Sequence, residues 1–186
     1  VPIYLDSPMA IDATDLLHAH REDHRLTPEQ CKDVCAIATY TRDVDGSKGI
    51  TASPYPKVVI SASGMATGGR VLHHLKAFAP DSRNTILFSG FQAAGTRGRA
   101  MLQGAQETKI HGQWIPVRAA VEELSMLSAH ADSNELMRWL SGVRRPPSRV
   151  FIVHGEDEGS EALRVRIDRE RKWNAVVPLQ NQKFDL

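Results

Sequence analysis

Lys57-Val58-Val59-Ile60-Ser61-Ala62-Ser63-Gly64-Met65-Ala66-Thr67-Gly68-Gly69-Arg70 sets a short apolar run against a loop of small residues, and a helical pattern over 69–78 follows at once. The run is continuous rather than alternating, which suits a strand covered on both faces. The same grammar recurs outward from it. Apolar runs at 2–5, 85–88, 114–121, 149–153 and 175–177 lie between helical patterns at 11–25, 27–37, 98–102, 133–140 and 160–173. Thr27-Pro28-Glu29-Gln30 reads as an N-cap, a proline at the first helical position and an acidic first turn. Strands alternating with helices predict an α/β architecture, a mostly parallel sheet flanked by helices. Turn formers crowd residues 43–56, which read as a long surface connection, and Arg144-Arg145-Pro146-Pro147-Ser148 reads as a second break.

The 186 residues carry 23 Lys+Arg against 22 Asp+Glu, a formal net charge of +1, with 41% hydrophobic and 24% charged residues. That composition excludes disordered, collagen-like and coiled-coil classes, and no apolar run is long enough to span a membrane. Cys31 and Cys35 stand four apart in a helix-like stretch. Two such cysteines support neither a secreted disulfide scaffold nor, on this reading, a cysteine-based zinc site, so a reducing, cytoplasmic location is expected. The chain opens on Val1 inside a strand-like run. It is therefore expected to be a piece of a longer protein.

Five segments could carry chemistry. Asp6, in Leu5-Asp6-Ser7-Pro8-Met9-Ala10, closes a strand where open α/β sheets build their sites, although Asp6 or Ser7 would serve equally as a helix cap. The loop 61–70 brings three glycines and three hydroxyl residues to a helix N-terminus, where free N–H groups could face an anion; a tight structural turn would need the same glycines. Residues 89–99, with Arg97 and Arg99, repeat that arrangement after a second strand. Ser128-Ala129-His130-Ala131-Asp132-Ser133 and Val153-His154-Gly155-Glu156 each carry a histidine at a strand-to-loop junction, suited to metal ligation or proton transfer, while a lone histidine is more often structural. His18-Ala19-His20-Arg21-Glu22-Asp23-His24 approaches a binuclear zinc signature but has one residue too many before the aspartate, and it reads as a solvated helix surface. His73-His74 reads as a helix flank, and His111 has no motif around it.

Taken in order, the Asp6 segment, Ser63-Gly64-Met65 with Gly68-Gly69-Arg70, the His130 segment and the His154 segment resemble the β-CASP branch of the metallo-β-lactamase superfamily, nucleic-acid-processing hydrolases. The resemblance runs from Val1 nearly to Leu186. It implies that residues 1–123 are the later part of a β-CASP domain and residues 124–186 the C-terminal segment of a metallo-β-lactamase domain. It further implies a ribonuclease that hydrolyses RNA phosphodiester bonds with two zinc ions, most of whose ligands, including the family's His-x-His-x-Asp-His signature, lie outside this chain. Asp6 and His130 would be catalytic, with Asp6 orienting His130, and His154 would bind zinc. Ser63, Gly64, Met65, Gly68, Gly69, Arg70, Arg97, Arg99 and Ser128 would hold the RNA backbone. With a net charge near zero, such binding requires a local basic groove. A homodimer is compatible with this reading. The competing expectations are a metal-free module that binds RNA or phosphate and a nucleotide-binding α/β domain.

Overall fold

The computed structural model describes residues 1–126, 128 and 130–185, which divide into two compact units, 1–127 and 128–186. Both are α/β, and parallel strands flanked by helices predominate, as the alternation of apolar runs and helical patterns predicts.

In the first unit, β1 (Ile3–Leu5) leads into α1 (Pro8–Ala19), α2 (Pro28–Ala36), β2 (Thr39–Tyr40), α3 (Val44–Ala52) and β3 (Val58–Ile60). These strands form a parallel sheet in the order β2-β1-β3, with Leu5 opposite both Tyr40 and Ile60. Ser7 caps α1 by accepting from the Ala10 N–H, so of the two capping candidates it is Ser7 that caps, and Asp6 is left for another role. Thr27 and Gln30 close a capping box on α2. The stretch 43–56 is not a surface connection. Asp43 accepts from the Gly46 N–H at 2.7 Å and starts α3, whose Ser47 and Ile50 are buried. A strong N-cap and an inward face outweigh the two helix-disfavouring glycines.

The chain continues through α4 (Val71–Phe78), β4 (Thr85–Phe88), α5 (Arg97–Leu102), β5 (Glu107–Ile110), β6 (Gln113–Pro116) and β7 (Ala120–Glu123). The apolar run 114–121 therefore divides into two strands. β7 pairs in parallel with β4, whereas β6 turns back antiparallel on β5 through His111-Gly112. His111 at φ 47° and Gly112 at φ 79° are both left-handed, as a two-residue hairpin of the type I′ class requires, which gives His111 a structural place. Leu72, Leu75, Phe88, Met101, Ile110 and Ile115 form the core of this region.

The second unit contains α6 (Ser133–Leu140), β8 (Val150–Phe151), α7 (Asp157–Arg171) and β9 (Ala175–Val176), with β8 and β9 parallel. Met137, Leu140, Ile152, Ile167, Trp173 and Ala175 pack between them. Asp132 accepts from the N–H groups of Asn134 and Glu135 and forms a capping box with Glu135 on α6. One expectation fails in both units. The apolar strands are not covered on both faces: Val58 and Ile60 are each 47% exposed, and Phe151 is 36% exposed.

Two loops in the first unit are clamped together. Gln92, almost fully buried, donates to the carbonyls of Gly64 and Gly90 at 3.0 and 2.8 Å, and the Gly98 N–H donates to the Met65 carbonyl. The Gln92 Oε1 atom is buried with no hydrogen-bond partner, because it faces the bare Cα of Gly98. A side chain at 98 would overlap it. Gly98→Ala is thus expected to cost about 1–3 kcal/mol by overpacking, read as a lower urea midpoint at unchanged slope.

Candidate functional site

Asp6 follows β1 at the carboxyl edge of the β2-β1-β3 sheet and is fully buried. Its N–H donates to the Ile60 carbonyl and its own carbonyl accepts from Ser61 Oγ, which fixes its backbone between two strands. Its carboxylate is surrounded. Oδ1 accepts from Arg70 Nη1 at 2.6 Å, and Oδ2 contacts Ser47 Oγ at 2.6 Å and His74 Nε2 at 2.7 Å. The Arg70 guanidinium also donates to the carbonyls of Thr41 and Arg42, and His74 Nδ1 meets Thr51 Oγ1 at 3.2 Å. One carboxylate thus ties β1, the segment after β2, α3 and the N-terminal half of α4 together.

Burial raises the Asp6 carboxyl pKa, but hydrogen bonds from Ser47, His74 and Arg70 and the charge of His74 more than offset it, holding the group below its usual range. Neither Ser47 nor His74 was anticipated as a partner. Ser47 fell in the supposed connection, and His74 was read as a flank although it stands four before Phe78, whose ring it stacks on at 6.0 Å. That spacing was the available signal.

The loop 61–70 leaves β3 at the same sheet edge. Gly69 has φ +78°, and a Cβ there would lie 2.5 Å from the Ala62 carbonyl oxygen, so this glycine is required by the turn itself. The expected free N–H groups at the start of α4 are already bonded: those of Val71 and Leu72 donate to the carbonyls of Ala62 and Gly69. Ser63 Oγ accepts from the N–H groups of Thr67 and Gly68. Gly64 and Gly68 are different, because a Cβ at either meets open space and neither has positive φ. Gly64 is exposed, Met65 half-buried, and among the described residues the N–H groups of both lack an acceptor. Arg97 lies beside this loop, donating through Nη1 to the Ala66 carbonyl at 2.9 Å and through Nε to the Lys109 carbonyl at 2.7 Å. Its partners are neutral, so among the described residues its charge is unmatched, whereas that of Arg70 is matched by Asp6. Arg99 is half-buried on α5.

His130 and His154 belong to the second unit. His130 is exposed, its N–H donating to Ser128 Oγ at 3.2 Å, while Ala129 lies outside the described residues. His154 is exposed just after β8, with φ 67°. A left-handed histidine is a sparsely populated conformation that costs free energy and turns the chain sharply at the strand end. Gly155 follows because a Cβ there would lie 2.5 Å from Ser160 Oγ. Among the described residues neither histidine belongs to a group of three side chains that could hold a metal. One imidazole does not make a zinc centre, so the residues present here do not fit a zinc ion by themselves. The one such group is His18, Cys31 and Cys35. The other histidines of its region do not lie on a helix face: α1 ends at Ala19, His20 meets Asp23 at 3.3 Å, and His24 Nε2 contacts the Leu17 carbonyl.

Parallel strands flanked by helices, with glycine-containing loops at the sheet edge of the first unit, define an α/β protein. The chain belongs to the Beta-Casp family: residues 1–101 match the Beta-Casp domain, and residues 114–178 match the Zn-dependent metallo-hydrolase RNA specificity domain. It is 38% identical over 168 residues to a ribonuclease of Thermus thermophilus, covering 87% of this chain and 38% of that protein. Transcription termination factor FttA of Methanosarcina mazei is 32% identical over 184 residues, and that of Pyrococcus abyssi 35% over 189 residues; 92% and 95% of this chain is covered, and 29% of each factor. The chain thus spans between about three tenths and two fifths of the length of these relatives. The family description names zinc; among the described residues no helix is long and apolar enough to cross a membrane.

Asp6 titration sets the acid stability of the first unit. Since its folded pKa is depressed, its contribution is complete above the ordinary value near 3.9 and is lost as pH falls through that value toward the folded one. Asp6→Asn is expected to cost about 3–5 kcal/mol at neutral pH by leaving half-buried Arg70 without its counter-charge and buried His74 without its carboxylate partner, and to flatten the acid limb of the stability profile. Ser47→Ala, which keeps the ion pairs, costs about 1–3 kcal/mol. Chemical denaturation from pH 7 to pH 3 checks both.

Proposed function

We propose that this chain is the RNA-holding and closing portion of a zinc-dependent ribonuclease, in which residues 1–123 form the later part of the β-CASP domain and residues 124–186 the C-terminal segment of the metallo-β-lactamase domain. The observation that carries the reading is the loop tip at Gly64 and Met65: unpaired N–H groups, a glycine that nothing in the chain requires, and the unmatched cation of Arg97 alongside. Such a surface suits a phosphate oxygen approaching the backbone, and contacts of this kind position a strand without reading its bases. Ser63, Gly68 and Gly69 shape that loop. Arg70 acts on it indirectly, by holding Asp6; Arg99 and Ser128 are each assigned to the RNA backbone.

His130 is assigned to the leaving oxygen, as proton donor or phosphate ligand, and His154 to a zinc ion. The Asp6 carboxylate is engaged by Ser47, Arg70 and His74 of its own unit. The intact protein is assigned two zinc ions, whose chemistry is activation of water and stabilisation of phosphate charge. Most of their ligands lie outside these 186 residues, and the chain alone binds RNA without cleaving it. The free thiols of Cys31 and Cys35 suit a reducing, cytoplasmic compartment. Exposed Trp139 and Leu179 are compatible with a homodimer.

In the intact protein, His130→Ala is expected to lower RNA hydrolysis about 10²- to 10⁴-fold with metal content retained, and His154→Ala to lower metal content itself. Wild-type turnover in His130→Ala would overturn the assignment; zinc-free intact protein with unchanged RNA affinity would favour the metal-free binding module. Gly64→Ala is expected to weaken RNA binding with stability changed by no more than about 0.5 kcal/mol. Unaltered affinity in that variant removes the loop tip from the binding surface.

A further inference from the structure

We propose that His18, Cys31 and Cys35 form a binding site for a soft divalent cation, with zinc as its natural occupant, separate from the Asp6 network and from His154. α1 and α2 pack against each other. His18 sits in the last turn of α1, and Cys31 and Cys35 are one turn apart on the same face of α2. Cys31 Sγ stands 3.8 Å from His18 Nδ1, and the three ligand atoms all lie within 4.8 Å of one another. In a tetrahedral zinc site, bonds of about 2.0–2.3 Å put neighbouring donors roughly 3.3–3.8 Å apart. Small side-chain rotations close the difference.

The donor chemistry selects the ion. Two thiolates and a neutral imidazole sum to a charge of −2, which a divalent cation cancels, so the loaded site is neutral where Cys31 is buried. Half-buried Cys35 and exposed His18 open onto a cleft also lined by Asp15, Lys32 and Tyr40, which gives the ion an entry path. Asp15 is one turn before His18 and meets Arg42 through one carboxylate oxygen at 2.7 Å, and the fourth position is open to water or to the other Asp15 oxygen.

Other uses of the pair fit less well. A reactive thiol needs a lowered pKa; burial above all, then Cys31 and Asp15, raises that of Cys35. Both cysteines are free thiols, and a weak S···N contact at 3.8 Å stabilises the helix pair little by itself. A bound ion would instead pin the end of α1 to α2. It would also steady the end of β2, because Tyr40 Oη donates to the Cys35 carbonyl at 2.8 Å.

The test uses the reduced, metal-free 186-residue chain titrated with cobalt(II), followed by zinc. The expected result is a thiolate-to-cobalt charge-transfer absorption in the near ultraviolet, saturating at one equivalent and bleached by zinc. Cys35→Ser and His18→Ala should each weaken binding by more than the 10- to 100-fold that changes outside the ligand set can cost, and His154→Ala should leave the band unchanged. His18 is exposed, so His18→Ala retains the fold and carries the decision if Cys35→Ser does not. Absence of the band in folded wild type, its persistence in His18→Ala, or its loss in His154→Ala would each overturn the proposal.

Discussion

Everything at the candidate site in the first unit is referred to one buried carboxylate. Asp6 is fully buried and is held by the Arg70 guanidinium at the N-cap of α4, the His74 imidazole of α4 and the Ser47 hydroxyl of α3. A lone charge in that position would be prohibitively costly, so the partners are obligatory. They are also far apart in sequence: Ser47, Arg70 and His74 lie 41, 64 and 68 residues from Asp6. The network forms only when β1, α3 and α4 have all arrived. It therefore sets the register of the helices on the sheet with a specificity that apolar packing alone does not provide.

That constraint explains which parts of the sequence could be read. The strand at 58–60, the Ser7 and Thr27 caps and the helix at 133–140 follow from local chemistry, and each is where its neighbours in sequence put it. The helix over Val44–Ala52 was hidden because Gly46 and Gly49 argue for a loop, while its main support, the contact of Ser47 with Asp6, is long-range. The hairpin at 107–116 was hidden because its turn is His111-Gly112, in which histidine takes a conformation more often given to asparagine or glycine. The exposure of Val58 and Ile60 was equally illegible, since a continuous apolar run states that a strand wants cover and not where the cover comes from.

The candidate site was legible in its parts and not in its wiring. Asp6, the glycine loop and the two histidines stand out by residue type at strand ends. What could not be read is that Arg70 faces inward to a carboxylate while Arg97 faces carbonyls, so two arginines that look alike in sequence differ in the charge they have left to offer. The three glycines of the loop divide in the same way. Gly69 is demanded by its own backbone, and Gly64 and Gly68 are not. Nor could the sequence bring His18 to the cysteines, thirteen residues away from the nearer one, because only the packing of two helices does so.

The unpartnered oxygen of Gln92 gives the clamp between the two loops a bias. Closed, the side chain gains two hydrogen bonds but leaves Oε1 dry, a desolvation cost of about 1–3 kcal/mol. If the loops part, water returns to that atom and recovers this cost, offsetting much of what the broken bonds lose. The glycine loop is thus held in a shallow minimum beside a rigid ion network. Its tip can yield to the shape of an approaching polymer, and the Asp6 scaffold behind it need not move.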